Sequence, residues 1–189
     1  MALLEVNNLS VFFGGIKAVQ NVSFQAEKGE FIGLIGPNGA GKTTVFNAVT
    51  GVAKPTEGEI LFDGKRIGGM RPDKIAHLGI ARTFQNIRIY PKLKAWENVL
   101  IGIASVPKYD TISAMLRLPH VVKRDREARQ ECEMYLNQIG LSEYKDVQAG
   151  SLPYGIQRKL EIARALATKP KLLFLDEPAA GMNTKESAE

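Results

Sequence analysis

The sequence predicts a three-layer α/β fold with an antiparallel β edge from its first 65 residues and an inserted helical lobe. Three observations lead to this fold class. An apolar run at 31–35 passes through a glycine-rich loop into a helical stretch, a second apolar run at 172–175 ends on two carboxylates, and the segment between them has helical periodicity. At 189 residues, a single domain is the default expectation.

The first third of the chain is expected to be mostly strand. Short strands are predicted at 3–6 and 22–26, and the run 31–35 is apolar at nearly every position. Such a run is typical of a strand buried on both faces of a parallel sheet. A helix is predicted from Thr43 to Thr50, with Gly51 supplying its C-terminal stop.

Turn residues mark the next two elements. Asp63-Gly64 lies between two short runs and predicts a hairpin. A short helix is predicted from Pro72 to Leu78, because proline is favoured in the first turn and Gly79 follows the end.

The helical lobe is predicted at 96–164, inserted between core segments 1–95 and 165–189. One apolar helix face is expected within it, and the run of charges at 123–129 is interpreted as the solvated side of the same helix. That face consists of Ala128, Cys132, Tyr135, Leu136 and Ile139. A second helix is predicted at 157–167, and Pro170 stops it before the apolar run at 172–175.

Composition excludes several classes of protein. The single cysteine, Cys132, allows no internal disulfide, which argues against a secreted, disulfide-rich scaffold and favours the cytosol. No apolar stretch reaches the length of a membrane span, and no signal peptide is expected at the start. The formal net charge of +5 suits an anionic ligand but is too weak and scattered to indicate nucleic acid.

The segment 36–43 fits the pattern G-x-x-x-x-G-K-[ST] between a predicted strand and a predicted helix. Its glycines allow backbone N–H groups to face phosphate oxygens at the positive end of a helix dipole. Lys42 would reach the β- and γ-phosphates, and Thr43 would offer its hydroxyl to Mg²⁺. The alternative is a glycine-rich turn that matches by chance.

Asp176 and Glu177 follow an apolar strand, which would deliver them to the C-terminal edge of the sheet beside this loop. Asp176 is expected to bind Mg²⁺ indirectly, through water or through a group that itself contacts the ion. Glu177 is expected to polarise the water that attacks the γ-phosphate. Taken alone, the two carboxylates could equally form a surface turn.

The order of these motifs resembles that of ATP-binding cassette (ABC) ATPases. The resemblance covers essentially the whole chain and is carried by the phosphate loop, by Gln85 in 82–86, by the run 152–158 and by 172–178. The details of 82–86, 152–155 and 178–183 look like the ATP-binding subunits of bacterial branched-chain amino acid importers. The resemblance implies hydrolysis of ATP to ADP and phosphate with Mg²⁺ as cofactor.

The resemblance also implies roles for particular residues. Phe13 would stack on adenine, although Phe12 beside it could serve as well and a core role is the alternative. Gln85 would line the Mg²⁺ and water site and sense a membrane partner. The residues expected to contact ATP are Phe13, Gly36, Pro37, Asn38, Gly39, Ala40, Gly41, Lys42, Thr43, Thr44, Pro153, Tyr154 and Gly155. Those expected at the metal are Thr43, Gln85 and Asp176, and the catalytic pair is Glu177 with Gln85.

Residues 152–156 stand where the family has its Leu-Ser-Gly-Gly-Gln signature, which binds the γ-phosphate held by the opposite subunit. Here Pro153, Tyr154 and Ile156 depart from that pattern, so Gly155 and the helix dipole are the expected phosphate donors. Asn183 occupies a position that is aspartate in many members. It would hydrogen-bond across a dimer.

The family places a histidine after the catalytic glutamate, and this chain reaches Glu189 without one. His77 and His120 precede Asp176 and are interpreted as surface or loop histidines. We therefore expect the chain to be a truncated form. Alternatives for it are a nucleotide-binding fragment without catalysis and an ABC ATPase that acts on nucleic acid or ribosomes.

The resemblance implies a homo- or heterodimer with a second ATPase subunit and transmembrane permease subunits at the cytoplasmic face of the inner membrane, with no nucleic acid partner. We hypothesise that a groove near residues 85–96 receives a short helix from such a permease. The mixture of Arg88, Ile89, Tyr90 and Pro91 suggests an exposed surface, and a simple packed loop is the alternative.

Overall fold

A computed structural model describes residues 2–103, 113 and 115–177. The chain divides after Ile80 into two compact units. The predicted lobe boundaries at residues 96 and 164 stay a prediction.

The first unit contains an antiparallel sheet of four strands in the order β2-β1-β3-β4. The strands are β1 (Leu4–Phe13), β2 (Ile16–Ala26), β3 (Glu57–Phe62) and β4 (Lys65–Arg66). The predicted antiparallel edge is confirmed, although β1 and β2 are both longer than the sequence suggested. The hairpin at Asp63-Gly64 is confirmed as well, with both residues at positive φ, 52° and 73°, as a type I′ turn requires.

Two helices accompany this sheet. Helix α1 (Lys42–Val49) ends before Gly51, and it buries Val45, Ala48 and Val49 along one side. Helix α2 (Pro72–His77) has proline in its first turn and buries Ile75. Both predicted helices are therefore confirmed. The apolar face of the sheet supplies the rest of this core through Leu4, Val6, Leu9, Val11, Ile60 and Phe62.

The predicted buried strand at 31–35 is wrong. No strand is assigned there, and Phe31 and Ile35 are 102% and 95% exposed. A strand is buried on both faces only when neighbouring strands pair with its edges. In the part of the chain that the structure describes, no strand pairs with these residues. The apolar character of residues 31–35 is therefore not sufficient to bury their side chains.

The second unit holds the helices of the predicted lobe and a short two-stranded sheet. Among the described residues of this unit, the structure contains helices α3 (Ala95–Gly102), α4 (Pro119–Gln138) and α5 (Tyr154–Ala167), with 3₁₀ turns at Ser142–Tyr144 and Ala149–Ser151. Strand β5 (Ile80–Arg82) pairs with β6 (Leu172–Phe174). None of the helices within the described residues is long and apolar enough to cross a membrane.

The core of the lobe forms where the three helices meet. The predicted face of α4 is confirmed, because Cys132, Tyr135 and Leu136 are buried while Lys123 to Glu127 are exposed. Helices α3 and α5 approach closely at Gly102, where an added Cβ would overlap the carbonyl oxygen of Arg164. This close approach is near the C-terminal end of α5, and the predicted signature residues lie at the other end of the same helix.

Candidate functional site

The phosphate loop curls tightly between residue 36 and α1. Ala40 N–H donates to the carbonyl oxygen of Pro37 at 3.2 Å, and Gly39 and Gly41 take φ values of +83° and +86°. Gly41 is the N-cap of α1, so the loop ends directly on the positive end of a helix. The arrangement fits an anion site made of backbone amides.

Lys42 ties the two ends of this loop together. Its Nζ donates to the carbonyl oxygens of Gly36 and Pro37 at 2.6 and 2.8 Å. The ammonium group therefore lies against the segment that the sequence assigned to phosphate binding. Thr43 is exposed and Thr44 is partly buried, while Asn38, Gly39 and Ala40 are exposed on the loop.

The loop rests on the neighbouring sheet at Gly41. A Cβ at this position would lie 2.5 Å from the carbonyl oxygen of Ala18 and 3.0 Å from Cγ2 of Val19. Glycine is thus required both by the positive φ and by the close approach to β2. The second glycine of the motif has a packing role as well as a conformational one.

Phe13, the predicted adenine contact, is the last residue of β1. Its side chain is 53% exposed, and its strand partner is Ile16. The exposed ring can stack on a planar group, so the geometry is compatible with the prediction without testing it. Phe12 is partly buried, and the ammonium group of Lys17 lies 5.7 Å from its ring centroid.

In the second unit the structure brings the predicted catalytic pair together. Gln85 Nε2 donates to Glu177 Oε2 at 3.3 Å, and both residues are exposed. The contact forms because their strands are neighbours. Thr83 N–H donates to the carbonyl oxygen of Phe174 at 3.0 Å, so the residues that follow each strand emerge side by side.

Asp176 is buried and bound by an arginine that sequence reasoning did not single out. Arg82 Nη2 donates to Asp176 Oδ2 at 2.8 Å, and the two side chains are 6% and 8% exposed. Asp176 N–H also donates to Thr83 Oγ1 at 3.4 Å. The carboxylate is therefore held in one orientation by a charged hydrogen bond.

A second arginine was missed beneath the same segment. Arg158, on α5, is 1% exposed and contacts the backbone at Phe84, Asp176 and Glu177. A charged pair at i, i+3 on an otherwise apolar helix face, here Arg158 and Glu161, was the available sequence signal.

The predicted signature position is the beginning of α5. Pro153 is the N-cap, Tyr154 is 48% exposed, and Gly155 is buried in the first turn. Ile156, which stands where the family signature has glutamine, packs its side chain against the core of the lobe. Gln157 Nε2 donates to the carbonyl oxygen of Leu152 at 2.8 Å, which steadies the turn before the helix.

The residues expected at magnesium offer a hydroxyl, an amide and a carboxylate, and such oxygen donors fit a hard cation. Within the described residues, no group of three or more histidine, cysteine, aspartate or glutamate side chains could hold a metal ion. The phosphate loop belongs to the first unit and Asp176 to the second, and their predicted proximity stays a prediction.

Two histidines and one asparagine complete the set of residues considered in the sequence. His77 and His120 are exposed, as expected, and the His77 Nδ1 atom lies 2.6 Å from the carbonyl oxygen of Asp73. Asn183 lies outside the described residues.

A model of the ABC transporter family matches residues 19–180. Over 185 residues the chain is 43% identical to the high-affinity branched-chain amino acid transport ATP-binding protein BraF of Pseudomonas aeruginosa, covering 98% of this chain and 72% of BraF. It is 45% identical to the LivG protein of Escherichia coli K12, which has the same description, covering 99% of this chain and 73% of LivG.

Solved structures agree with these relatives. The ATP-binding cassette MJ1267 of an ABC transporter superposes with a TM-score of 0.82 at 33% identity, covering 100% of this chain and 74% of MJ1267. The dimeric bacterial ABC transporter cassette MJ0796 gives a TM-score of 0.80 at 26% identity, covering 98% of this chain and 78% of that one. The predicted α/β fold class is thereby confirmed.

Proposed function

The chain belongs to the ABC transporter family, and from this premise we propose that it powers an importer of branched-chain amino acids. It is an ATP-binding subunit that hydrolyses ATP. The choice of cargo is supported by the identity of 43–45% to BraF and LivG over nearly the whole chain. The same similarity favours transport over the two alternatives, a fragment without catalysis and an ATPase that acts on nucleic acid or ribosomes.

Phosphate binding is the task we assign to the first unit. Amides of residues 36–41 would surround the phosphate oxygens, and Lys42 Nζ, already directed to this loop, would neutralise their charge. The exposed ring of Phe13 would stack on the adenine. Preorganised donors of this kind stabilise charge that spreads over the γ-phosphoryl oxygens during transfer.

Water activation is the task we assign to Glu177. The hydrogen bond from Gln85 to its carboxylate is the observation that carries the hydrolytic proposal, because it joins two predicted residues 92 positions apart. Gln85 would orient the carboxylate, and Glu177 would accept a hydrogen bond from the attacking water. Thr43, Gln85 and Asp176 would hold magnesium, which supplies neutralising charge at the phosphates.

A second ATPase subunit, identical or related, is the partner that we propose for this chain. The N-terminus of α5, where Pro153 and Tyr154 are exposed and Gly155 is buried in the first turn, would complete the nucleotide site of that subunit. The dimeric structure of the MJ0796 cassette supports this arrangement. With its permease subunits, the dimer would lie at the cytoplasmic face of the membrane.

The contact surface for the permease is proposed around Tyr90, which is 49% exposed. Asn98 holds the segment from beneath. Its side-chain oxygen accepts from Tyr90 N–H at 2.8 Å, and its Nδ2 donates to the carbonyl oxygen of Tyr90 at 3.1 Å. Tyr90 is therefore presented on a loop that the core of the lobe supports.

Phosphate release by the purified protein tests the catalytic proposal. Lys42→Ala should lose Mg-ATP binding, whereas Glu177→Gln should bind ATP and lose nearly all turnover, because it keeps the loop but removes the carboxylate. Removing a group that acts only in the transition state typically lowers the rate by about 10²–10⁴-fold. Full turnover in a folded Glu177→Gln protein would contradict the assignment.

A further inference from the structure

Arg158 is a buried charge that the roles above do not use. Its side chain and that of Glu161 are both 2% exposed, and Nη1 donates to Glu161 Oε2 at 2.6 Å. Burying two charges is costly unless their hydrogen-bonding capacity is used. The partners of the remaining N–H donors of this guanidinium therefore indicate its role.

Those donors go to the backbone of the two segments that carry the proposed catalytic pair. Nη1 also donates to the carbonyl oxygen of Phe84, the residue before Gln85. Nη2 donates to the carbonyl oxygen of Asp176 and, at 3.3 Å, to that of Glu177 itself. One guanidinium thus contacts both sides of the hydrogen bond between Gln85 and Glu177.

Glu161 extends the same connection to the far side of the Gln85 segment. Its Oε1 accepts a hydrogen bond from Arg88 N–H at 3.3 Å. The pair on α5 therefore makes hydrogen bonds to the backbone of Phe84 and of Arg88, and Gln85 lies between these two residues in the sequence. Because α5 begins at Tyr154, the helix that carries these charges is the helix whose N-terminus we assigned to the opposite nucleotide.

We propose that Arg158 is a positioning residue for ATP hydrolysis, which sets the distance between Gln85 and Glu177 and links it to the position of α5. This inference rests on the catalytic roles proposed above for those two residues. It goes beyond them because the geometry of Gln85 and Glu177 would depend on a side chain that contacts neither the substrate nor the reacting atoms.

The chemistry of arginine explains why this residue type stands here. A guanidinium has five N–H donors in a fixed planar fork, so it can serve carbonyls from separate segments and a carboxylate at once. A lysine ammonium is a compact point charge on a flexible stem and would hold fewer of these partners in place. A shift of the helix would therefore move the carbonyls together with the arginine.

The test compares steady-state kcat and KM for ATP in the purified protein. The double variant Arg158→Met with Glu161→Leu removes both charges of this buried pair, so neither of the two stays behind alone and the fold should persist. We expect kcat to fall about a hundredfold, the loss typical of an ångström-scale misplacement. KM for ATP should stay unchanged, because the phosphate loop is untouched.

Arg129→Met on α4 is the control, because Arg129 is also an arginine with ion pairs. Its guanidinium contacts Glu133, Asp146 and the Trp96 ring. The kcat and KM of this variant should match those of the unaltered protein. Should the double variant fail to fold, Arg158→Lys, which keeps a charge facing Glu161, replaces it and should show a reduced kcat with an unchanged melting temperature.

Wild-type kcat in a folded Arg158 variant would overturn the inference, and so would a change confined to KM. Glu177→Gln, measured in parallel, distinguishes a failure of the catalytic role proposed for Glu177 from a failure of the positioning role proposed for Arg158. Full activity in Glu177→Gln would overturn the catalytic role of that glutamate. Full activity in the Arg158 variants beside an inactive Glu177→Gln would overturn only the positioning role.

Discussion

Gly41 has two constraints at once, a positive φ of +86° and a carbonyl oxygen 2.5 Å from where a Cβ would stand. The φ constraint alone costs an L residue about 1–2 kcal/mol. The contact with Ala18 is to backbone, which cannot move aside as a flexible side chain would. Phosphate loop and β2 must therefore separate if any side chain is introduced at this position.

We accordingly expect Gly41→Ala to weaken ATP binding and to lower the free energy of unfolding by more than about 2 kcal/mol, since overlap adds to the φ strain. Gly14→Ala is the matched control, because Gly14 also has a positive φ, +58°, but nothing lies within 4 Å of its added Cβ. Urea denaturation and ATP titration measure both effects. Equal losses in the two variants would show that the contact with β2 is unimportant.

Arg82 and Arg158 show what residue-by-residue reading of the sequence misses. Gln85 and Glu177 were found through the order of motifs, and the structure places their side chains in contact. The partners of Arg82 and Arg158 include residues 94 and 74 positions away. No local pattern encodes such contacts, because they arise only when β5, β6 and α5 have packed.

At the scale of elements, turn chemistry was the most reliable guide. Asp63-Gly64 and Gly51 demand backbone conformations that few other residues adopt, so the hairpin and the end of α1 were predicted closely. The strands β1 and β2 were predicted too short because polar residues interrupt their apolar alternation. The buried strand predicted at 31–35 was wrong for another reason, because burial of such a strand depends on strand partners that are distant in the sequence.

Helix α4 supports a prediction about Cys132. Burial, with Glu131 and Glu133 nearby, raises the pKa of this thiol to about 12, so almost no thiolate exists near neutral pH. We expect iodoacetamide at pH 8 to leave the folded protein unmodified, as read by intact mass. The same reagent in urea should alkylate the chain once. Rapid alkylation without denaturant would contradict the packing of α4.

At the scale of the whole molecule, the inert Cys132 makes a single introduced cysteine selective. Tyr90→Cys, carrying a photoactivatable crosslinker in the assembled transporter, should attach to the permease, because Tyr90 lies at the proposed contact surface. Val122→Cys is the control, since Val122 on α4 is also exposed, at 43%. Mass spectrometry of the products identifies the attachment. Absence of permease products from residue 90, or equal yields at the two positions, would remove the docking proposal.

The two hydrogen bonds between Asn98 and the backbone of Tyr90 bear on the speed of assembly. A loop already fixed in shape loses little conformational entropy when a partner arrives. A permease that docks at this proposed surface would therefore bind without a slow ordering step, and affinity differences among partners would arise mainly from how long each complex lasts. A subunit that drives a permease in every catalytic cycle, as proposed here, would benefit from such a stiff contact.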